Sequence, residues 1–135
     1  MLCYQALNQG SINVFGGEQT RLNIHIEGMA RVFLHFINNS DIESGSYNAG
    51  FENISIIDLA NVIAQKIPAE IKVTESNDIR SYQLNSDKLL ATGFVPKFGI
   101  SDALDEITLL YRNNRLSNDP RWHTVDWMKE CGLGG

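Results

Sequence analysis

Cysteine is scarce, with Cys3 and Cys131 standing at opposite ends of a chain of 135 residues. With no second thiol beside either, they neither build a disulfide framework nor match the spacing of a zinc site, and they read as two free thiols in a reducing compartment. The histidines, His25, His35 and His123, are too dispersed for a metal centre, so none is expected. No apolar run approaches the roughly 20 residues needed to span a bilayer, and the start lacks a basic segment followed by an apolar core and cleavage site. The expected location is therefore cytoplasmic, with no membrane contact. Cations are the minority, 11 Lys and Arg against 16 Asp and Glu, for a net charge of −5. A nonspecific grip on nucleic acid comes from clustered cations that neutralise phosphates, and these are scattered, so nucleic acid is not an expected partner.

What is present fits one soluble domain: 43% hydrophobic and 20% charged residues allow a buried core if the elements close on one another. Residues 2–7 have the character of a helix end, closed by the turn signal Asn8-Gln9-Gly10. Residues 12–15 follow as a short strand before Gly16-Gly17. Residues 22–26 alternate as a strand, and Met29, Val32, Phe33, Phe36 and Ile37 then share one face at helical spacing. A strand is expected over 46–49. Ser55 is placed to cap a helix with Asp58 three residues on, a variant of the capping box. Ile56, Leu59, Ala60, Ile63 and Ile67 lie inward until Pro68 stops it.

Residues 71–73 read as a strand, and 86–92 as a short helix closed by Gly93. A last helix is expected to be capped by Ser101, with Ala103, Leu104, Ile107, Leu110 and Tyr111 facing inward. Trp122 and Trp127 are expected to pack down the polar tail, and residues 132–135 to fray. Strands alternating with helices, without repeats, give an α/β or mixed α+β lobe.

Four stretches occur in one order. They are GGEQTRLNIHIEGMARVFLHFI from Gly16, GSYNAGFENISIIDLANVIAQKI from Gly45, Asn77-Asp78-Ile79-Arg80-Ser81-Tyr82, and SDKLLATGFVPKFGISDALDEI from Ser86. Together they cover nearly the whole chain and resemble the C-terminal substrate lobe of NAD-dependent nucleotide-sugar epimerases and dehydratases of the extended short-chain dehydrogenase/reductase family. The resemblance implies a single nucleotide-sugar-binding lobe over residues 1–135 without the N-terminal dinucleotide-binding half, and a nucleoside-diphosphate sugar as ligand.

Within that resemblance, Arg21 and His25 occupy an Arg-x-x-x-His pattern whose Arg touches the nucleotide diphosphate. A guanidinium suits the task because its rigid fork binds phosphate oxygens bidentately at any working pH. Asn13 and Phe15 fall where the family lines the base and ribose; Phe15 is either a stacking wall or an ordinary core aromatic. Arg80 matches a second cation near the phosphates, and Asp78 a ribose partner. The plain alternative is an Arg80–Asp78 surface pair of little consequence. His25 reads as a hydrogen-bonded structural imidazole rather than a base. The Tyr47-Asn48-Ala49-Gly50 run reads as framework. Two positions depart from the pattern: Leu22 stands where Pro or Asp is common, and Gly28 where an Asp usually opens the helix.

The resemblance also defines what is missing. No closely spaced glycines join a strand to a helix to meet a pyrophosphate. The residues four after Tyr4, Tyr47, Tyr82 and Tyr111 are Asn8, Phe51, Ser86 and Arg115, so the family's Tyr-x-x-x-Lys is absent. The parent family uses NAD or NADP; no cofactor and no catalysis are expected of this chain alone. The open alternatives are half of a split enzyme completed by a separate dinucleotide-binding chain, a non-enzymatic nucleoside-diphosphate-binding module, and an inactive truncation product.

Overall fold

The computed structural model describes residues 1–77, 80–116 and 124–132, with the side chains of 124–126 excepted. Among the described residues two two-stranded sheets are threaded by six helices in the order α1 (Leu2–Gln9), β1 (Ser11–Phe15), β2 (Thr20–Asn23), α2 (Ile26–Asn38), β3 (Glu52–Ser55), α3 (Ile56–Lys66), β4 (Glu70–Thr74), α4 (Asp87–Leu90), α5 (Ile100–Arg112) and α6 (Thr124–Glu130). This is the mixed α/β lobe that the pattern of elements implied.

Strand β1 organises the larger core. Ile12 and Val14 point to one face and are fully buried, while Ser11, Asn13 and Phe15 take the other, as the two-residue period of a strand requires. Against the buried pair pack Cys3 and Ala6 of α1, Ala60 and Ile63 of α3, Ile67, and Leu104 of α5. Burial pushes the Cys3 thiol up from its ordinary pKa, against a smaller opposing pull from the amino terminus. Helix α1 ends at Gly10, whose φ of 63° lets its N–H close back on Ala6 O. Strand β4 pairs with β1 in parallel, Ser11 opposite Glu70 through Phe15 opposite Thr74, with α3 leading into it. A second cluster joins Val32 of α2, Leu89 of α4 and Phe94, flanked by Phe36, Tyr47 and Phe51.

The other edge of β1 meets side chains. Asn13 N–H donates to Gln5 Oε1 at 2.9 Å, and Gln19 Nε2 donates to Phe15 O at 3.3 Å. Gln19 is itself buried, and its Oε1 accepts from Gly17 N–H at 2.7 Å, which locks the turn between β1 and β2.

Several boundaries differ from the sequence reading. The strand expected over 22–26 is β2, Thr20–Asn23, and it stops early because His25 becomes the N-cap of α2, its Nδ1 accepting from Glu27 N–H at 3.1 Å. Gly28 therefore lies within the first turn of the helix, three residues after the cap. No strand forms over 46–49. Side chains hold that segment instead, with Asn48 Nδ2 donating to Asn85 O, and Ser86 Oγ accepting from Gly50 N–H and donating to Gly50 O. The ladder falls later, where β3 pairs antiparallel with β2, Thr20 opposite Ser55 through Asn23 opposite Glu52.

Ser55 caps α3 as expected, accepting from Asp58 N–H at 3.0 Å. Ser101 does not cap α5. The helix begins two residues earlier, with Gly99 as N-cap; Gly99 N–H donates to the Asp102 carboxylate at 2.8 Å and Ile100 N–H to Glu52 Oε2 at 2.7 Å. Leu110 is exposed rather than inward. Trp127 stands 39% exposed on α6 instead of anchoring the tail, and Trp122 lies outside the described residues.

Helix α2 has apolar residues on two sides. Val32 is buried and Met29 and Phe36 are partly covered, but Ile26, Ala30, Phe33 and Ile37 form a second stripe open to solvent, with Phe33 63% and Ile37 74% exposed. An apolar stripe on a helix is normally the one that packs against a neighbour. Among the described residues no helix is long and apolar enough to cross a membrane.

Candidate functional site

The five residues expected to bind ligand separate into two places. Arg21 lies in β2, where Thr20 N–H donates to Ser81 Oγ at 3.1 Å and Tyr82 N–H to Thr20 O at 3.0 Å, so the 80–82 segment runs along the start of the strand. Nη1 of Arg21 donates to both Thr20 O and Arg80 O, and the guanidinium carbon stands 5.4 Å from the centre of the Tyr82 ring. The backbone thus brings Arg21 and Arg80 to one surface spot, where Arg80 is exposed. Asp78 lies outside the described residues.

The Arg21 guanidinium, set against the Tyr82 ring beside the Arg80 backbone, is a planar donor group of the kind that suits a planar or tetrahedral oxyanion. Tyr82 is the neighbour that the sequence reading left without a role. Its only sequence signal was the two-residue spacing from Arg80, which puts both on one side of an extended segment.

Asn13 and Phe15 share the outer face of β1. Phe15 is 63% exposed, which settles one alternative: it is not a core aromatic. Asn13 is half-buried beside its register partner Lys72, which pairs with Glu70 at 3.3 Å along β4. The Gly16–Gln19 turn separates this face from Arg21. Four cavities of about 560, 310, 390 and 600 Å³ open elsewhere, and none is lined by Asn13, Phe15, Arg21 or Arg80. Arg80 and Tyr82 at the cationic spot are exposed.

His25 is buried at the joint between β2 and α2. Its ring stacks on Phe98 at 5.3 Å, and Nε2 lies 3.4 Å from Glu106 Oε2. With Nδ1 accepting a backbone N–H, both ring nitrogens are committed to framework.

The geometry does not fit a dinucleotide pyrophosphate. Gly16 and Gly17 are the nearest approach to a glycine-rich turn, but they lead from β1 into β2 rather than into a helix. Their N–H groups are taken by Thr74 O and Gln19 Oε1. The joints from β2 to α2 and from β3 to α3 contain no glycine. Among the described residues no group of three His, Cys, Asp or Glu side chains could hold a metal ion.

No family model matches the sequence. In fold the chain is similar to solved nucleotide-sugar enzymes. It matches the ADP-L-glycero-D-manno-heptose-6-epimerase of Helicobacter pylori over 78% of its own length and 34% of that chain, with a TM-score of 0.65 at 16% identity. A GDP-6-OMe-4-keto-L-xylo-heptose reductase from C. jejuni matches over 77% of this chain and 34% of its own, with a TM-score of 0.65 at 19% identity. A GDP-D-glycero-L-gluco-heptose synthase from Campylobacter jejuni, solved in the presence of NADPH, matches over 80% and 35%, with a TM-score of 0.63 at 18% identity. The chain spans about a third of the length of the proteins it matches.

Proposed function

We propose that this chain is the nucleotide-sugar-binding portion of an NAD-dependent sugar-nucleotide epimerase, dehydratase or reductase, and that it carries out no oxidation or reduction by itself. The observation that carries this reading is the likeness in fold, over about four-fifths of the chain, to proteins named for ADP- and GDP-linked heptoses. The placement of Arg21 against the backbone of the 80–82 segment supports it. A diphosphate carries about two negative charges, and each charge taken from water needs a partner.

Calorimetric titration with an ADP-sugar and a GDP-sugar tests the reading. Saturable binding of one of them is expected, weakened about tenfold or more in Arg21→Ala, in line with the loss of a charge-assisted hydrogen bond. Arg21→Lys falls between, since it keeps the charge and loses the fork. No binding to either sugar nucleotide, or binding untouched by Arg21→Ala, would overturn the assignment. Turnover with NAD and no other protein would overturn the non-catalytic part.

A second reading, half of a split enzyme completed by a separate dinucleotide-binding chain, is favoured by the α2 stripe and by the edge of β1, which meets the side chains of Gln5 and Gln19 rather than a strand among the described residues. Exposed apolar patches of a few hundred Å² mark interfaces or aggregation hazards. Recovery of a dinucleotide-binding protein on affinity purification from the source supports this reading. Recovery of a monomeric, fully folded chain alone sinks it.

A further inference from the structure

A second concentration of positive charge lies on the far half of α2. Arg31, His35, Asn38 and Asn39 line a cavity of about 390 Å³ whose opposite wall is the 93–97 segment, ending in Lys97. In a chain of net charge −5 this cavity has two permanent cations and no carboxylate in its lining. Among the described residues neither Arg31 nor Lys97 has an ion-pair partner. Nε of Arg31 is closed off from solvent and has no acceptor. A guanidinium that is partly withdrawn from water, with a donor unsatisfied and no counter-charge, is an unfavourable arrangement that an anion beside it would relieve.

One framework explanation is that these cations complement the negative end of the α2 dipole. Position speaks against it, since Arg31 lies seven residues before the end of α2, outside the last turn where that effect acts, and Lys97 belongs to another segment. Asn39 serves that end of the helix, its N–H donating to Phe36 O and its Nδ2 to His35 O at 2.7 Å, and neither Arg31 nor Lys97 bonds a helix carbonyl. His35 is a fixed wall. Thr92 Oγ1 donates to Leu89 O at 2.6 Å, so it accepts from His35 Nε2–H at 2.8 Å, and the ring meets Phe36 and Phe94 edge to face. The charged groups that face the cavity are thus donors on a supported frame, with room for more than a single small ion.

We propose that this cavity is a second oxyanion site, for a phosphate monoester, separate from the Arg21 surface and independent of the sugar-nucleotide reading. A tetrahedral dianion offers several acceptors at once, matching a guanidinium fork on one wall and an ammonium on the other.

The test is a titration of the chain, followed by amide and side-chain NMR at constant ionic strength. Inorganic phosphate is used in one arm and glucose 6-phosphate in the other. Saturable shifts confined to Arg31, His35, Asn38, Asn39 and Lys97 are expected, with affinity falling about tenfold or more in Arg31→Gln and in Lys97→Gln and unchanged in Arg21→Ala. Tighter binding of the sugar phosphate assigns the site to a phosphorylated metabolite, and equal binding assigns it to free phosphate. Lys97 is exposed, so Lys97→Gln remains decisive if Arg31→Gln does not fold. Shifts that do not saturate, or binding that survives Lys97→Gln, overturn the proposal.

Discussion

His25 connects three parts of the chain at once: it caps α2 through Nδ1, stacks on Phe98, and turns Nε2 toward Glu106 of α5. Because Nδ1 accepts the Glu27 N–H, the neutral ring carries its proton on Nε2, the nitrogen that faces the carboxylate. His25→Ala removes the cap and is expected to lower stability by about 0.5–2 kcal/mol, read as a lower urea midpoint. His25→Asn restores an acceptor for the same N–H and should recover most of the loss. An equal loss in both variants would place the effect in the Phe98 packing instead. The structural role expected of this imidazole rested on a strand alternation with Asn23 that ends at Asn23 itself, and the role is filled instead by a helix cap; its partners Phe98 and Glu106 were not legible, because they belong to segments far along the chain. Arg21 divides in the same way. Its chemistry was readable from residue type, whereas its setting against Tyr82 and the Arg80 carbonyl depends on a segment from the other half of the sequence.

Among the elements, α3 and α5 start by different means. The cap of α3 is written within four consecutive residues, Ser55 to Asp58, which is why its start could be read directly. The start of α5 depends on β3, whose Glu52 carboxylate accepts the Ile100 N–H while Asp102 accepts from Gly99. Gly99 suits the place, since a Cβ there would come within 3.0 Å of the Glu52 carboxylate. Ser101, the sequence-level candidate for the cap, instead offers its carbonyl to Lys66 Nζ at 3.0 Å, next to the Lys66–Asp105 ion pair. Glu52→Ala is expected to speed hydrogen exchange at the Ile100 amide and to cost about 1 kcal/mol of stability, with Glu52→Gln costing less because the amide oxygen still accepts. Unchanged exchange at Ile100 would remove Glu52 from the start of the helix. A similar limit governed the strands. The run over 46–49 has strand character, but its polar groups found side chains rather than a neighbouring strand, and the ladder formed at Glu52–Ser55 where β2 lay opposite.

At the scale of the whole molecule, the open stripe of α2 sets the behaviour of the chain in solution. Ile26, Ala30, Phe33 and Ile37 recur at alternating steps of four and three, the spacing of a helix that packs on both sides. The chain alone is expected to associate as its concentration rises. The double variant Phe33→Glu, Ile37→Glu should remain monomeric in sedimentation velocity, while stability changes by less than about 0.5 kcal/mol because both side chains are already solvated. Association that persists in the double variant would assign it to another surface. The sequence by itself determined the class of fold, the inward face of α3, the cap at Ser55, and the residue types suited to a diphosphate, because each of these rests on local periodicity or on the chemistry of one side chain. Only the tertiary structure decided that β1 pairs with β4 and β2 with β3, that Arg21 and Arg80 adjoin while Asn13 and Phe15 stand apart, and that Arg31 and Lys97 face one cavity. Those relations join segments distant along the chain, and they are set by which surfaces find partners when the two clusters pack.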